Sequence, residues 1–145
     1  MSDLKVKFAF VCDDARREDN GKLIFIGVYA GSILVQSLPA NLVLCLVMSI
    51  QTDRQIETPI VFQIHFDGES ATEGATVITL QKGDNFSIFP GIPVAATQPC
   101  RLSIRVKFGE EEWQEVVSAE VLTLPSATTA SQPPAEQSRR DARDS

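Results

Sequence analysis

Arg101-Leu102-Ser103-Ile104-Arg105-Val106-Lys107-Phe108 alternates polar and apolar residues without a fault. A period of two places Leu102, Ile104, Val106 and Phe108 on one face of an extended chain, which is the signature of a half-buried β-strand. Ile60-Val61-Phe62-Gln63-Ile64-His65-Phe66-Asp67 repeats it, with Ile60, Phe62, Ile64 and Phe66 directed inward. Near the start Val6, Phe8 and Phe10 follow the same period. Leu42 to Ile50 is apolar at every position except Ser49, as expected of a central strand covered on both faces. Pro39 and Asn41 before it and Thr52-Asp53 after it limit its length to that of a strand.

Turn residues separate these runs. Asn20-Gly21 predicts a type I′ hairpin leading into a strand over 22–29, because both residues tolerate positive φ. Asp67-Gly68, Lys82-Gly83-Asp84-Asn85 and Gly109-Glu110 mark further turns, and strands are expected at 77–80 and 116–124. Gly27 falls inside the expected 22–29 strand, where a glycine marks a bulge or a close backbone approach. Phe86 to Val94 contains Pro90, Gly91 and Pro93, so it reads as an edge strand or a crossing between sheets. No amphipathic helix longer than a turn or two is evident. The fold class is therefore all-β, an antiparallel β-sandwich of seven or eight strands. The ending resembles the closing hairpin of immunoglobulin-like modules, with Arg101, Arg105 and Lys107 paired across strands with Glu115 and Glu120.

The sandwich occupies 1–124. Beyond it, 125–145 holds no Val, Ile, Leu or aromatic residue, which predicts a disordered tail unable to offset its ordering entropy. Of the 13 Lys and Arg and 19 Asp and Glu, the tail takes three of each, so the whole net charge of -6 sits on the domain. An acidic body opposes phosphate binding, and nucleic acid is excluded as a partner class. No apolar run reaches the roughly 20 residues of a membrane helix, and the N-terminus lacks a signal-peptide core. A cytoplasmic location and no membrane partner are expected. Cys12, Cys45 and Cys100 are far apart and lack zinc-ligand spacing, so buried structural thiols are expected.

The stretch from Phe8 to Tyr29, FAFVCDDARREDNGKLIFIGVY, resembles the start of a bacterial family of small proteins of unknown function. Phe89-Pro90 and the hairpin around Phe108-Gly109-Glu110 are similar to that family too, and the match extends over most of 6–122. The resemblance implies bacterial origin, one small β-domain and no established activity.

Candidate chemistry is sparse. Asp13, Asp14, Glu18 and Asp19 form the densest acidic cluster, and a calcium- or small-ligand-binding turn at 13–20 is one alternative, with Asp13, Asp14 and Asp19 as first metal ligands. Arg16 and Arg17 lie within it and favour local Asp–Arg pairing, so no metal and no cofactor are expected; the same arginines are candidates for holding an anionic group. His65 is the single histidine, no nucleophile elbow or phosphate loop is present, and catalysis is not expected; a hydrolase of unrecognised type is the third alternative. What remains is a non-catalytic module that binds another protein, or a second copy of itself, with Phe89 and Ile92 in the 86–94 segment either as anchors or as core residues that seal the sandwich edge. Because 125–145 has nothing apolar to pack, ending the chain after Leu124 is expected to move stability by no more than about 0.5 kcal/mol. Urea midpoints of the full and shortened chains test this, and a larger loss would place the tail on the domain.

Overall fold

The computed structural model describes residues 4–125; the expected disorder of 125–145 lies outside them except for Pro125. Ten strands follow one another: β1 (Leu4–Cys12), β2 (Asp14–Arg17), β3 (Leu23–Ile26), β4 (Ser32–Val35), β5 (Ala40–Thr52), β6 (Ile56–Phe66), β7 (Glu69–Leu80), β8 (Gly83–Ala96), β9 (Cys100–Phe108) and β10 (Gln114–Thr123). No helix occurs among the described residues. The strands form a three-stranded sheet β1-β5-β8, a five-stranded sheet β4-β10-β9-β6-β7, and a two-stranded flap β2-β3. With the flap and β4 set aside, β1-β5-β8 against β10-β9-β6-β7 follows the order A-B-E against G-F-C-C′ of an immunoglobulin-type sandwich, with no D strand beside β8 among the described residues.

The count exceeds the expected seven or eight for a physical reason. The two strands beyond eight are β2, Asp-Ala-Arg-Arg, which carries no hydrophobic period, and β4, Ser-Ile-Leu-Val, which is too short to show one. Pairing with β3 and with β10 makes them strands. The sandwich is antiparallel except for one pair: β4 runs parallel to β10, from Glu120↔Ser32 to Thr123↔Val35. The segment 27–31 carries the chain across the sandwich edge. Tyr29 N–H still donates to Val11 O at 3.0 Å on the first sheet, while Glu120 N–H donates to Gly31 O at 3.2 Å on the second.

The core lies between the sheets. Leu102, Ile104 and Val106 are fully buried and Phe108 nearly so, as their period dictates, and Ile60 and Ile64 meet them from β6. The closing hairpin places Arg105 opposite Glu115 and Arg101 opposite Glu120; Lys107 lies opposite Val61 instead. Strand β5 is buried continuously from Leu44 to Ile50, with Leu44, Leu46, Met48 and Ile50 in the main core. Its other face forms a second cluster, in which Cys45 and Val47 pack with Cys12, Phe10, Ala15, Phe25 and Ile88 under the flap.

Two expectations fail at specific residues. A register shift between Val6 and Phe8 interrupts β1, so Val6 and Ala9 pack on the main core while Phe10 joins the outer cluster. The inward Val6-Phe8-Phe10 period is thereby broken by a bulge. The flap turn is also not type I′. Gly21 alone has positive φ (85°), and its N–H donates to Glu18 O at 2.9 Å, with Asn20 Oδ1 accepting from Lys22 N–H at 3.0 Å. Five residues between β2 and β3 favour a turn closed by one left-handed glycine. Strand β3 then stops at Gly27 (φ 68°), whose missing Cβ leaves the room taken by the Asp13 carboxylate.

The two outer-face valines of β5 separate covered from uncovered surface. Val47 is 0% exposed and Val43 65%. Val47→Ala is expected to cost about 1–3 kcal/mol and Val43→Ala under about 0.5 kcal/mol. Equal urea midpoints for the two variants would mean that the flap packs nothing.

Candidate functional site

The acidic segment does not form a turn with converging carboxylates. Asp13 lies between β1 and β2 and accepts from the Tyr29 hydroxyl at 2.7 Å, while its N–H donates to Ile26 O at 3.0 Å. Asp14 begins β2 and accepts from Arg16 Nε at 2.9 Å, an exposed pair; the guanidinium holds the Asp14 carboxyl below its usual range. Arg17 ends β2 and Asp19 sits in the flap turn, both exposed. The structure thus separates Asp13 and Asp14 by their partners. Among the described residues no group of three His, Cys, Asp or Glu side chains is placed to hold a metal ion.

Strand β8 is an edge strand, as its prolines imply, and of the two readings of Phe89 and Ile92, partner anchors or seals of the sandwich edge, their placement follows the second. Ile92 is 3% exposed and belongs to the main core, so it offers no anchor to a partner. The bulge at Pro90-Gly91 (Gly91 φ 73°) shifts the register between Leu44↔Ile92 and Leu46↔Phe89. Both side chains consequently turn toward the interior. Phe89 is half-buried, its ring centroid 6.2 Å from that of Phe62. Phe62 in turn covers Gly74 of β7, where a Cβ would collide with the ring, so this strand junction requires glycine. Phe62, Phe89, Ile88, Pro90, Thr76 and Glu73 line a groove of ≈ 410 Å³ between the edges of β7 and β8.

Phe8, read from the sequence as inward, lies instead on the outer face of the first sheet beside Phe86 of the 86–94 segment. Register places Phe8, Ser49 and Phe86 in one row across β1, β5 and β8, and Phe10, Val47 and Ile88 in the next. The Phe8 and Phe86 rings meet edge-on at 6.0 Å, which fits the 4% exposure of the Ser49 between them. Phe25 of the flap reaches Phe10 at 5.0 Å and Phe86 at 6.0 Å. Four phenylalanines therefore form one cluster, in which Phe8 remains 48% and Phe86 44% exposed. The β1 bulge is what brings Phe8 to this face, and no period shows a bulge in advance.

On the opposite sheet His65 is partly buried. Its Nε2 lies 3.0 Å from Gln63 Oε1 and its Nδ1 3.3 Å from Gly68 O. Gln63 Nε2 donates to Glu73 at 3.1 Å, which fixes the amide so that its oxygen faces the ring. Ser103 is opposite His65 in register, yet both ring nitrogens are already directed at other oxygens. Cys12 and Cys45 face each other across β1 and β5 as free, buried thiols, and Cys100 is free and half-buried. Burial pushes the Cys45 thiol up to about 12 and raises Cys12 and Cys100. Burial and the bond to Asp13 likewise push Tyr29 up to about 12.

The chain belongs to the family described as "Family of unknown function (DUF6941)", whose model matches residues 7–88, more than half of the sequence. Among curated proteins none matches. Among solved structures it is similar to a β-D-mannosidase from Dictyoglomus thermophilum, at 16% identity and a TM-score of 0.46, over 81% of this chain. This chain spans 13% of the length of that one, and no inference about its chemistry follows from so distant a likeness.

The raised thiols and phenol give stability a definite pH dependence. In the unfolded chain the thiols lose their protons near pH 9 and the phenol near 10, while folded Cys45 and Tyr29 keep theirs to about 12. The unfolded state thus binds fewer protons in that window, and stability falls as pH rises. Urea midpoints are expected to be level from pH 7 to about 9 and to fall from there toward 12, less steeply in Cys45→Ala. A profile level to about pH 11 would contradict the burial of these groups.

Proposed function

We propose that this chain is a non-catalytic module of the bacterial cytoplasm that works by docking another protein. One observation carries the proposal: Phe8 and Phe86 stand about half exposed, in edge-on contact over Ser49, beside a flap-covered cluster of the same sheet face in which Val47 is fully buried. Half-exposed aromatic pairs are costly to leave in water and are typical anchors of protein interfaces. They sit beside the Lys7–Asp84 ion pair at 3.3 Å, which supplies the polar rim that such an apolar centre needs. The placement of His65 between two fixed acceptors, Gln63 Oε1 and Gly68 O, either of which can take its N–H, supports a structural rather than a catalytic histidine. Three unpaired thiols suit a reducing compartment.

Phe8→Ser is the direct test. The side chain is half exposed, so the loss is expected to be about 1–2 kcal/mol and the fold survives. Immobilised Phe8→Ser protein is expected to retain markedly less of any host protein that the native chain captures, while the circular dichroism spectrum stays β-type. Equal capture of the same proteins by a folded variant would remove this face from the proposal.

A further inference from the structure

The two long sides of the sandwich differ. On one side the segment 27–31 and the parallel strand β4 bridge the sheets through Tyr29 N–H to Val11 O and Glu120 N–H to Gly31 O. On the other side β8 and β7 are the last strands of their sheets, with no strand beyond either among the described residues. An uncovered edge is a template for another chain unless prolines, bulges or charges defend it. Strand β8 has Pro90, Pro93 and a bulge. Strand β7 has no proline and no lysine or arginine over its twelve residues, Glu69–Leu80.

Hydrogen bonding fixes which β7 groups face outward. Gly109 N–H donates to Pro59 O and Asp67 N–H to Arg101 O, both at 2.9 Å, so the odd residues of β6 turn their backbone groups toward β9. Their β7 partners in register are Val77 for Pro59, Ala75 for Val61 and Glu73 for Gln63. In an antiparallel ladder, partners that turn away from each other form the non-hydrogen-bonded pairs. The N–H and C=O groups of Glu73, Ala75 and Val77 therefore point to the open edge. The groove of ≈ 410 Å³ lined by Phe62, Phe89 and Pro90 lies alongside them.

We propose that the outer edge of β7 accepts an extended, basic segment of another protein as an additional strand. Backbone groups at 73, 75 and 77 would pair with it at the usual spacing of about 4.8 Å. Its alternate side chains fall on the apolar groove on one face and beside Glu73 and Val77, 59% exposed, on the other. Charge decides between occupants. Both charged residues of β7, Glu69 and Glu73, are acidic, and the chain has a net charge of -6. A second copy would bring acid to acid, whereas lysine or arginine on the added strand meets complementary charge. The proposal does not rest on the aromatic face.

The test uses isotope-labelled full-length protein and three synthetic octapeptides. One alternates valine with lysine and threonine, one has glutamate for lysine, and one is the lysine peptide N-methylated along one edge. The lysine peptide is expected to shift the amide resonances of Glu73, Ala75 and Val77 and to bind at least about fivefold more tightly than the glutamate peptide. Methylation on the edge that pairs is expected to abolish the shifts. Val77→Pro removes an outward N–H without touching the β6–β7 ladder and is expected to lose binding, while Glu73→Lys reverses the charge preference. If Val77→Pro does not fold, the methylated peptide answers the same question. No shift in β7 with about 1 mM lysine peptide would overturn the proposal. Equal affinity for the glutamate peptide would also do so, as would β7 shifts that follow protein concentration without peptide, which identify a second copy as the occupant. Phe8→Ser is expected to bind the lysine peptide normally, so failure here and failure of the aromatic face are distinguishable.

Discussion

Strand β5 cannot have either face in water. Leu44, Leu46, Met48 and Ile50 point one way and Cys45 and Val47 the other, and all are at most 2% exposed. Burying a valine-sized side chain contributes roughly 1.5–3 kcal/mol, so leaving the second face open would forfeit a sizeable part of a small domain's net stability. A two-layer sandwich covers only one face. The second requires a third layer, which the chain supplies from the residues immediately following β1.

That layer is thin and correspondingly economical. The flap contributes Ala15 and Phe25 to the outer cluster, and the sheet itself contributes Phe10 and Ile88. It covers the middle of β5 and leaves its ends to other means. At one end the rings of Phe8 and Phe86 close over Ser49, so a small polar residue is buried without a large neighbour having to occupy its site. At the other end Val43 stays in solvent. The half-exposed phenylalanines are therefore a consequence of how β5 is covered. The same two rings that shield Ser49 present the largest aromatic surface of the first sheet.

Where burial alternates along a regular strand, the sequence was sufficient. The 101–108 period put all four inward residues in the core, and the 42–50 run implied cover on both faces, which holds from Leu44 to Ile50 and fails at Val43. It failed where backbone geometry intervened. A bulge after Val6 moved Phe8 to the outer face, and a bulge at Pro90-Gly91 accompanied Ile92 into the core. One extra residue exchanges faces without altering composition, so a periodicity argument cannot detect it. Strand β2 and the first half of β7 were illegible for a different reason. Their stability comes from ladders with β3 and β6, and edge positions impose little side-chain pattern. The acidic residues of 13–19 were visible, but their partners were not: Tyr29 reaches Asp13 from 16 positions away.

The asymmetry of the two sandwich sides follows from the same economy. Residues between β1 and β5 must first cover β5 and then return to the second sheet, and the crossing at 27–31 seals the edge it passes. The chain makes no comparable excursion between β7 and β8, which are joined through Gln81 and Lys82 and lie in different sheets. Among the described residues both edges there remain uncovered. Strand β8, lying beside β5, has prolines and a bulge that discourage pairing, and the bulge also turns Phe89 toward Phe62. Strand β7 has only two glutamates for defence, and acidic side chains repel acidic partners alone. An edge defended in that way is expected to be selective by charge, resisting a second acidic copy and admitting a basic strand.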